Sequence, residues 1–468
     1  MNAVEGAGII FGIATVYLVI TTVVGVWSVK YAKDTNSFMS AKNQMGVYIV
    51  GILLVSEFIA AASTLGTSQA AFDKGISASW NFITLAVGFV LYSYLLAGKY
   101  NETGEYTISG ILNKKYGNNT RMVVSLIMVY ALMTVNVVAY TAGAVVVAPL
   151  LGIPTTPAVL IISAAATACV AAGGIRGVGF ANLIHFLFKY FAIVITAVVA
   201  WSMVKQRSLS LDTLPAMHFS MTGIGIPTII AWTIGNIGAV FSTQYVIQTI
   251  SSLGSAKDAK KASLFASFWL LPLGFIAAYI GLAAKVLFPT IKSVQALPEF
   301  LKYMNPWLAG IVVSGILAVA FVTMLACNIG STALVMKDFY IPLVKPSEKR
   351  QIVAVRIIAV VLGLLPIPFA LYVPALLKTV FFARALRTSV AVVALFMFYA
   401  PRIGTNTSAA LGLTLSIIFT TVWFAMNNPF GIDNMYIALG TPIIAMLIGQ
   451  IFKKDDQRAV LQRGRGLG

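Results

Sequence analysis

Residues 51–72 read GILLVSEFIAAASTLGTSQAAF. The run is apolar enough to enter a bilayer, where about 20 residues make one crossing. Two features mark it as more than a plain span. Glu57 is an acid at membrane depth, where a charged side chain costs roughly 2.5–3.5 kcal/mol on insertion scales. Behind it come Ala60, Ala61, Ala62, Ser63, Thr64 and Gly66, small and hydroxyl residues that let a helix unwind and expose its carbonyls. Unwound backbone survives in a membrane only where it is buried in protein or lines a cavity. The stretch therefore predicts a broken helix facing a site.

A second stretch has the same character. Residues 226–248, IPTIIAWTIGNIGAVFSTQYVIQ, are interrupted by Gly235, Asn236 and Gly238, then by Ser242, Thr243 and Gln244. Small residues also serve close helix packing. Two interrupted spans separated by five helices nonetheless fit an inverted repeat, with a binding site at the repeat interface.

The rest of the chain supports the membrane setting. Of 468 residues, 59% are hydrophobic and only 10% charged, against roughly 25% charged in a soluble domain. Apolar runs predict about 13 helices, near 5–29, 46–71, 78–98, 121–149, 156–173, 178–203, 226–250, 263–288, 307–336, 351–373, 375–400, 406–426 and 433–452. The polar stretch 103–118, TGEYTISGILNKKYGN, predicts a short interfacial helix. The fold class is an all-α membrane protein with a single transporter domain over 1–468 and a tail at 453–468.

The formal charge of +18 would suggest nucleic acid in a soluble protein. Here the basic residues cluster in alternate loops, the distribution of cytoplasmic segments. One side holds Lys30, Lys33, Lys42, Lys99, Lys114, Lys115, Arg121, Arg176, Lys257, Lys260, Lys261, Lys337, Lys345, Lys349, Arg350, Arg402 and the tail. The other holds Lys74, Lys205, Arg207, Lys292, Lys302 and Lys378. This places the chain in a cytoplasmic membrane, N-terminus outside and C-terminus inside. Its partners are then a lipid bilayer and a small-molecule substrate, not nucleic acid.

Enzyme readings find little. Cys169 and Cys327 lack metal-ligand spacing, and His185 and His218 lie in unrelated places. A membrane enzyme needs clustered His, Cys or paired carboxylates. A channel would show a repeated filter motif or a charge ring, and none is visible.

Polar residues inside other spans mark further candidates. Asn182, His185 and Lys189 share one face of the sixth span. The ninth has Thr323, Asn328, Ser331 and Thr332, and the eleventh has Arg384 and Arg387 one turn apart. Membrane-depth charge sums to one acid against Lys189, Lys285, Arg356, Arg384 and Arg387. That surplus favours an anionic, carboxylate-bearing solute clamped by Arg384 or Arg387.

Several short stretches resemble the sodium:solute symporter family, which has the leucine-transporter-type five-plus-five inverted repeat. They are Ala71-Phe-Asp-Lys-Gly-Ile-Ser-Ala-Ser-Trp80, Gly173-Gly-Ile-Arg-Gly-Val178, Phe241-Ser-Thr-Gln-Tyr-Val-Ile-Gln-Thr249 with the basic Lys257-Asp-Ala-Lys-Lys261, and Asp338-Phe-Tyr340. Their order along nearly the whole chain carries the resemblance. It implies an extra N-terminal helix (5–29), a first repeat (46–203), a second repeat (226–400) and C-terminal helices (406–452).

The resemblance also implies site residues. A main sodium site would use carbonyls near Ser56, Ile59 and Val319 with hydroxyls at 322 and 323. Here Val322 replaces the first hydroxyl and Thr323 keeps the second. Met324 and Leu325 stand where a second sodium site needs hydroxyls, so at most one Na+ is expected. Asn182 stands where the family often has an acid. By position, the solute pocket uses Ser63, Thr67, Trp232, Asn236, Thr243 and Gln244, with Trp232 or Phe241 as an apolar gate. Glu57 is a coupling carboxylate or a structural partner of Arg384, Arg387 or Lys189. The expected function is Na+-coupled secondary active import of a small polar solute by alternating access. One alternative is a Na+-independent or proton-coupled carrier with Lys189 in place of the ion; another is a transporter-like sensor.

Overall fold

A computed structural model describes residues 6–27, 45–371 and 376–465. Every regular element among them is helical. The principal helices are α1 (Ala7–Trp27), α2 (Val47–Phe58), α3 (Ala61–Lys74), α4 (Trp80–Tyr92), α5 (Ile108–Tyr116), α6 (Asn118–Leu151), α7 (Thr155–Gln206), α8 (Ile226–Ser242) and α9 (Gln244–Ile250). They continue with α10 (Ala256–Leu287), α11 (Pro306–Val335), α12 (Glu348–Leu364), α13 (Leu376–Tyr399), α14 (Asn406–Ala425) and α15 (Asn434–Arg465).

Among the described residues, nine helical stretches are long and apolar enough to cross a membrane, or ten if the bent pair α8–α9 counts as one. Three shorter apolar helices, Gly8–Thr21, Val47–Phe58 and Thr155–Ala171, fall below that length. Length and apolarity alone therefore do not reach the expected thirteen. The loop expected at 173–178 lies within α7, in a stretch whose side chains are outside the described residues. The landmark Gly173–Val178 lies there too, and Lys30, Lys33 and Lys42 lie outside the described residues altogether.

Helix ends follow local chemistry. Thr107 caps the helix predicted in the 103–118 stretch, its hydroxyl accepting from Gly110 N at 3.1 Å. Ser255 caps α10 by accepting from Asp258 N, and Thr405 with Ser408 forms a capping box on α14. Each oxygen satisfies a donor the helix cannot. After α3, Gly75 has φ +76°, and a Cβ there would lie 2.1 Å from the His218 carbonyl oxygen. Only glycine fits both demands.

At the centre sits α11, whose most apolar window is 89% buried. It packs against α6 and α7, while α1 lies on α7 and α11. Around it α8 packs on α4 and α13, and α10 on α2, α3 and α4. Both broken spans are thereby held inside the bundle.

Candidate functional site

The first break is shorter than its sequence suggests. Helix α2 ends at Phe58; Ile59 (ψ 68°) and Ala60 (ψ 163°) are non-helical, and α3 resumes at Ala61. Only Ile59 and Ala60 unwind, not the whole stretch to Gly66. The Ala60 carbonyl accepts from Ser63 N and Thr64 N, both at 2.9 Å, so the helix restarts at once.

The second break falls at Thr243 (ψ 122°), with a 45° bend between α8 and α9. Gly235, Asn236 and Gly238 are helical. Their small size serves contact instead. A Cβ at Gly238 would lie 2.2 Å from Thr388 Oγ1, and one at Gly235 would lie 2.3 Å from Met435 Cε.

Arg384 and Arg387 on α13 join the two breaks. Arg384 donates to Asn81 Oδ1 at 3.1 Å and Ser63 Oγ at 3.2 Å. Its guanidinium lies 4.7 Å from the Phe381 ring centre, and Phe381 stacks on Trp232 at 5.2 Å. Arg387 donates to Thr243 Oγ1 at 3.2 Å, while its Nε and Nη2 are buried without a hydrogen-bond partner. Both side chains are 5% exposed. No ion pair formed among the described residues includes either arginine.

Asn81, which the sequence reading passed over, is the hub. Its amide donates to Thr67 Oγ1 at 3.0 Å, and its backbone carbonyl accepts from Asn236 Nδ2 at 2.9 Å. Asn236 also donates to Thr84 Oγ1 at 2.7 Å. Ser63, Thr67, Trp232, Asn236 and Thr243 are thus brought together around the two arginines, with Asn81 and Phe381 added. The only signal for Asn81 was an amide opening an apolar span directly after Trp80.

Two expected pocket residues are engaged elsewhere. Gln244 accepts from Ile108 N at 3.1 Å and donates to the Tyr106 carbonyl at 2.8 Å, so its amide braces the segment around α5. Phe241 packs with Tyr92 at 6.1 Å, and its carbonyl accepts from the Tyr100 hydroxyl. Beyond them Asp338 accepts from Arg121 Nε at 2.6 Å and from the hydroxyls of Ser109 and Ser125, closing that end of the bundle.

A lysine reaches one of the oxygens expected to hold the ion. Lys189, fully buried, donates its ammonium to the Ser56 carbonyl. That carbonyl lies in the last turn of α2, where helix carbonyls lack partners in their own helix. Lys189 lines one small cavity with Thr64, Leu65, Gly315, Ile316 and Val319. Thr323 Oγ1 donates to the Val319 carbonyl at 3.1 Å, and Val322 offers only methyl groups. Of the oxygens expected to hold a sodium ion, the Ser56 carbonyl accepts from this ammonium and the Val319 carbonyl accepts from Thr323. Glu57 Oε2 is buried without a partner, and Glu57 forms no ion pair among the described residues. Asn182 donates to the Tyr245 hydroxyl at 2.9 Å, and His185 Nδ1 pairs with the Tyr17 hydroxyl.

Two broken helices enclosing buried polar groups are the architecture of a carrier, and the sequence profile of the sodium:solute symporter family matches residues 38–415. The chain belongs to that family. Among sodium:solute symporters it is similar to the sodium/proline symporter of Haemophilus influenzae, 24% identical over 442 residues and 87% of each chain. It is also similar to the sodium/glucose cotransporter of Vibrio parahaemolyticus, 23% identical over 377 residues, covering 71% of this chain and 69% of the relative. In structure it resembles a Na+-coupled sialic acid symporter in its substrate-bound outward-open state, with a TM-score of 0.79 at 18% identity. That match covers 95% of this chain and 98% of the other. A nucleobase-cation-symport-1 family transporter in a closed conformation aligns with a TM-score of 0.58 at 16% identity, over 87% and 93% of the two chains. This symporter-family chain is a multi-pass membrane secondary transporter, not an enzyme.

Proposed function

We propose that the protein imports a small polar, carboxylate-bearing solute by alternating access, with the Lys189 ammonium taking the place of the coupling sodium ion. The observation carrying the solute class is Arg384. Its buried guanidinium touches only neutral acceptors, Asn81 and Ser63, beside the first helix break. A buried charge without a counter-charge is strongly disfavoured, and a carboxylate entering between the breaks supplies one. The guanidinium fork matches carboxylate geometry. Trp232 and Phe381 form the apolar wall that excludes water from the polar contacts.

The lysine assignment rests on its hydrogen bond to Ser56. Carbonyls at an unwound helix end are ready cation ligands, and here an ammonium already satisfies one. In this reading 46–203 and 226–400 are the two repeats, flanked by 5–29 and 406–452. The bundle makes about thirteen crossings in a cytoplasmic membrane, with the N-terminus outside.

A second reading, coupling to Na+ at a single site, is favoured by the sodium symporters among the relatives. Uptake into proteoliposomes with sodium and proton gradients imposed separately divides the two. Sodium stimulation alone sinks the lysine assignment, while accumulation without sodium supports it. Saturable binding with no accumulation under either gradient would make the protein a sensor.

A further inference from the structure

We propose that the solute carries two acidic groups, one held by Arg384 and one by Arg387. This rests on the carboxylate reading above and narrows it. The two arginines are three residues apart on α13, so they share a face and sit about 4.5 Å apart along the helix axis. Arg384 reaches the first break through Ser63, and Arg387 reaches the second through Thr243.

All of their side-chain acceptors are neutral. Arg387 Nε and Nη2 are buried with no acceptor, a polar edge that folding alone would have paired. Glu57, the one acid expected at this depth, forms no ion pair with either arginine among the described residues. Both guanidinium groups are left without an ion-pair partner among the described residues. A monoanion neutralises one of them; a dianion neutralises both. The axial spacing suits two carboxylates on a backbone of three to five carbons, each meeting one guanidinium fork.

The test is thermal stabilisation of the purified full-length protein by malonate, succinate and glutarate, set against acetate, propionate, butyrate, proline and glucose. At least one dicarboxylate should act at about tenfold lower concentration than any monocarboxylate. Arg387→Gln and Arg387→Lys should each shrink that preference to below about threefold, because neither supplies the fork. Equal responses to mono- and dicarboxylates overturn this inference and leave the carboxylate reading standing. A response to proline or glucose alone overturns both. Silence toward all three dicarboxylates, or an undiminished preference in both Arg387 variants, also overturns it.

Discussion

The ammonium of Lys189 donates to the carbonyl of Ser56, 133 residues away in the chain. It ties α7 to the last turn of α2, next to the break. A side chain therefore braces the helix end directly before the break. Lys189→Ala leaves that carbonyl buried and unpaired, at a cost of about 1–3 kcal/mol. In sodium-free proteoliposomes, uptake by the variant should fall to background, and added sodium should not restore it because Val322 supplies no oxygen. Sodium-rescued transport in Lys189→Ala would show that an ion site survives beneath the lysine.

In the proposed carboxylate site Arg384 discriminates by shape as well as charge. Its fork spans Asn81 and Ser63 together, which a lysine ammonium on a flexible stem does not reproduce. Arg384→Lys should raise the apparent Kd for carboxylates by about tenfold, equivalent to about 1.4 kcal/mol. Titration of the purified variant by calorimetry reads this directly. Unchanged affinity would remove Arg384 from the site.

Gly238 lets α8 and α13 touch. The Cβ of Gly238→Ala meets Thr388 Oγ1 at 2.2 Å and Thr388 Cα at 2.8 Å, so the helices must separate. Overpacking of this kind costs about 1–3 kcal/mol. Adding Thr388→Ala should recover part of the loss, since the hydroxyl goes but the backbone clash stays. Melting of the single and double variants in detergent gives both numbers.

Asp338 gathers Arg121, Ser109 and Ser125 at one end of the bundle. Its side chain is fully buried and that of Arg121 is 18% exposed. Asp338→Asn keeps the shape but removes the charge, leaving Arg121 without its partner at a cost of about 3–5 kcal/mol. A cysteine accessibility assay across that end should report it as more open than in the parent protein.

Legibility varied with the length scale of the interaction. The first break could be read because Ala60 to Thr64 offers little side-chain packing to hold a membrane helix straight. The second was drawn too wide, from Gly235 to Thr243, whereas only Thr243 leaves the helix. Gly235 and Gly238 look like interruptions in one dimension, yet they are contacts with Met435 and Thr388 in three. Gln244 looked like a solute ligand because it adjoins the break, but its amide is consumed by Tyr106 and Ile108, some 138 and 136 residues away. Asn81 escaped notice because one amide in an apolar run has no periodicity to announce it.

Composition and hydropathy were enough to determine that this chain lives in a bilayer as a bundle of helices, because burying apolar surface in lipid depends on each segment alone. Which polar groups meet inside was decided only by the tertiary structure. Hydrogen bonds such as Lys189 to Ser56 and Arg384 to Ser63 join residues 133 and 321 positions apart. Directional contacts of a few ångströms depend on how helices are placed against each other, and no single segment encodes that placement.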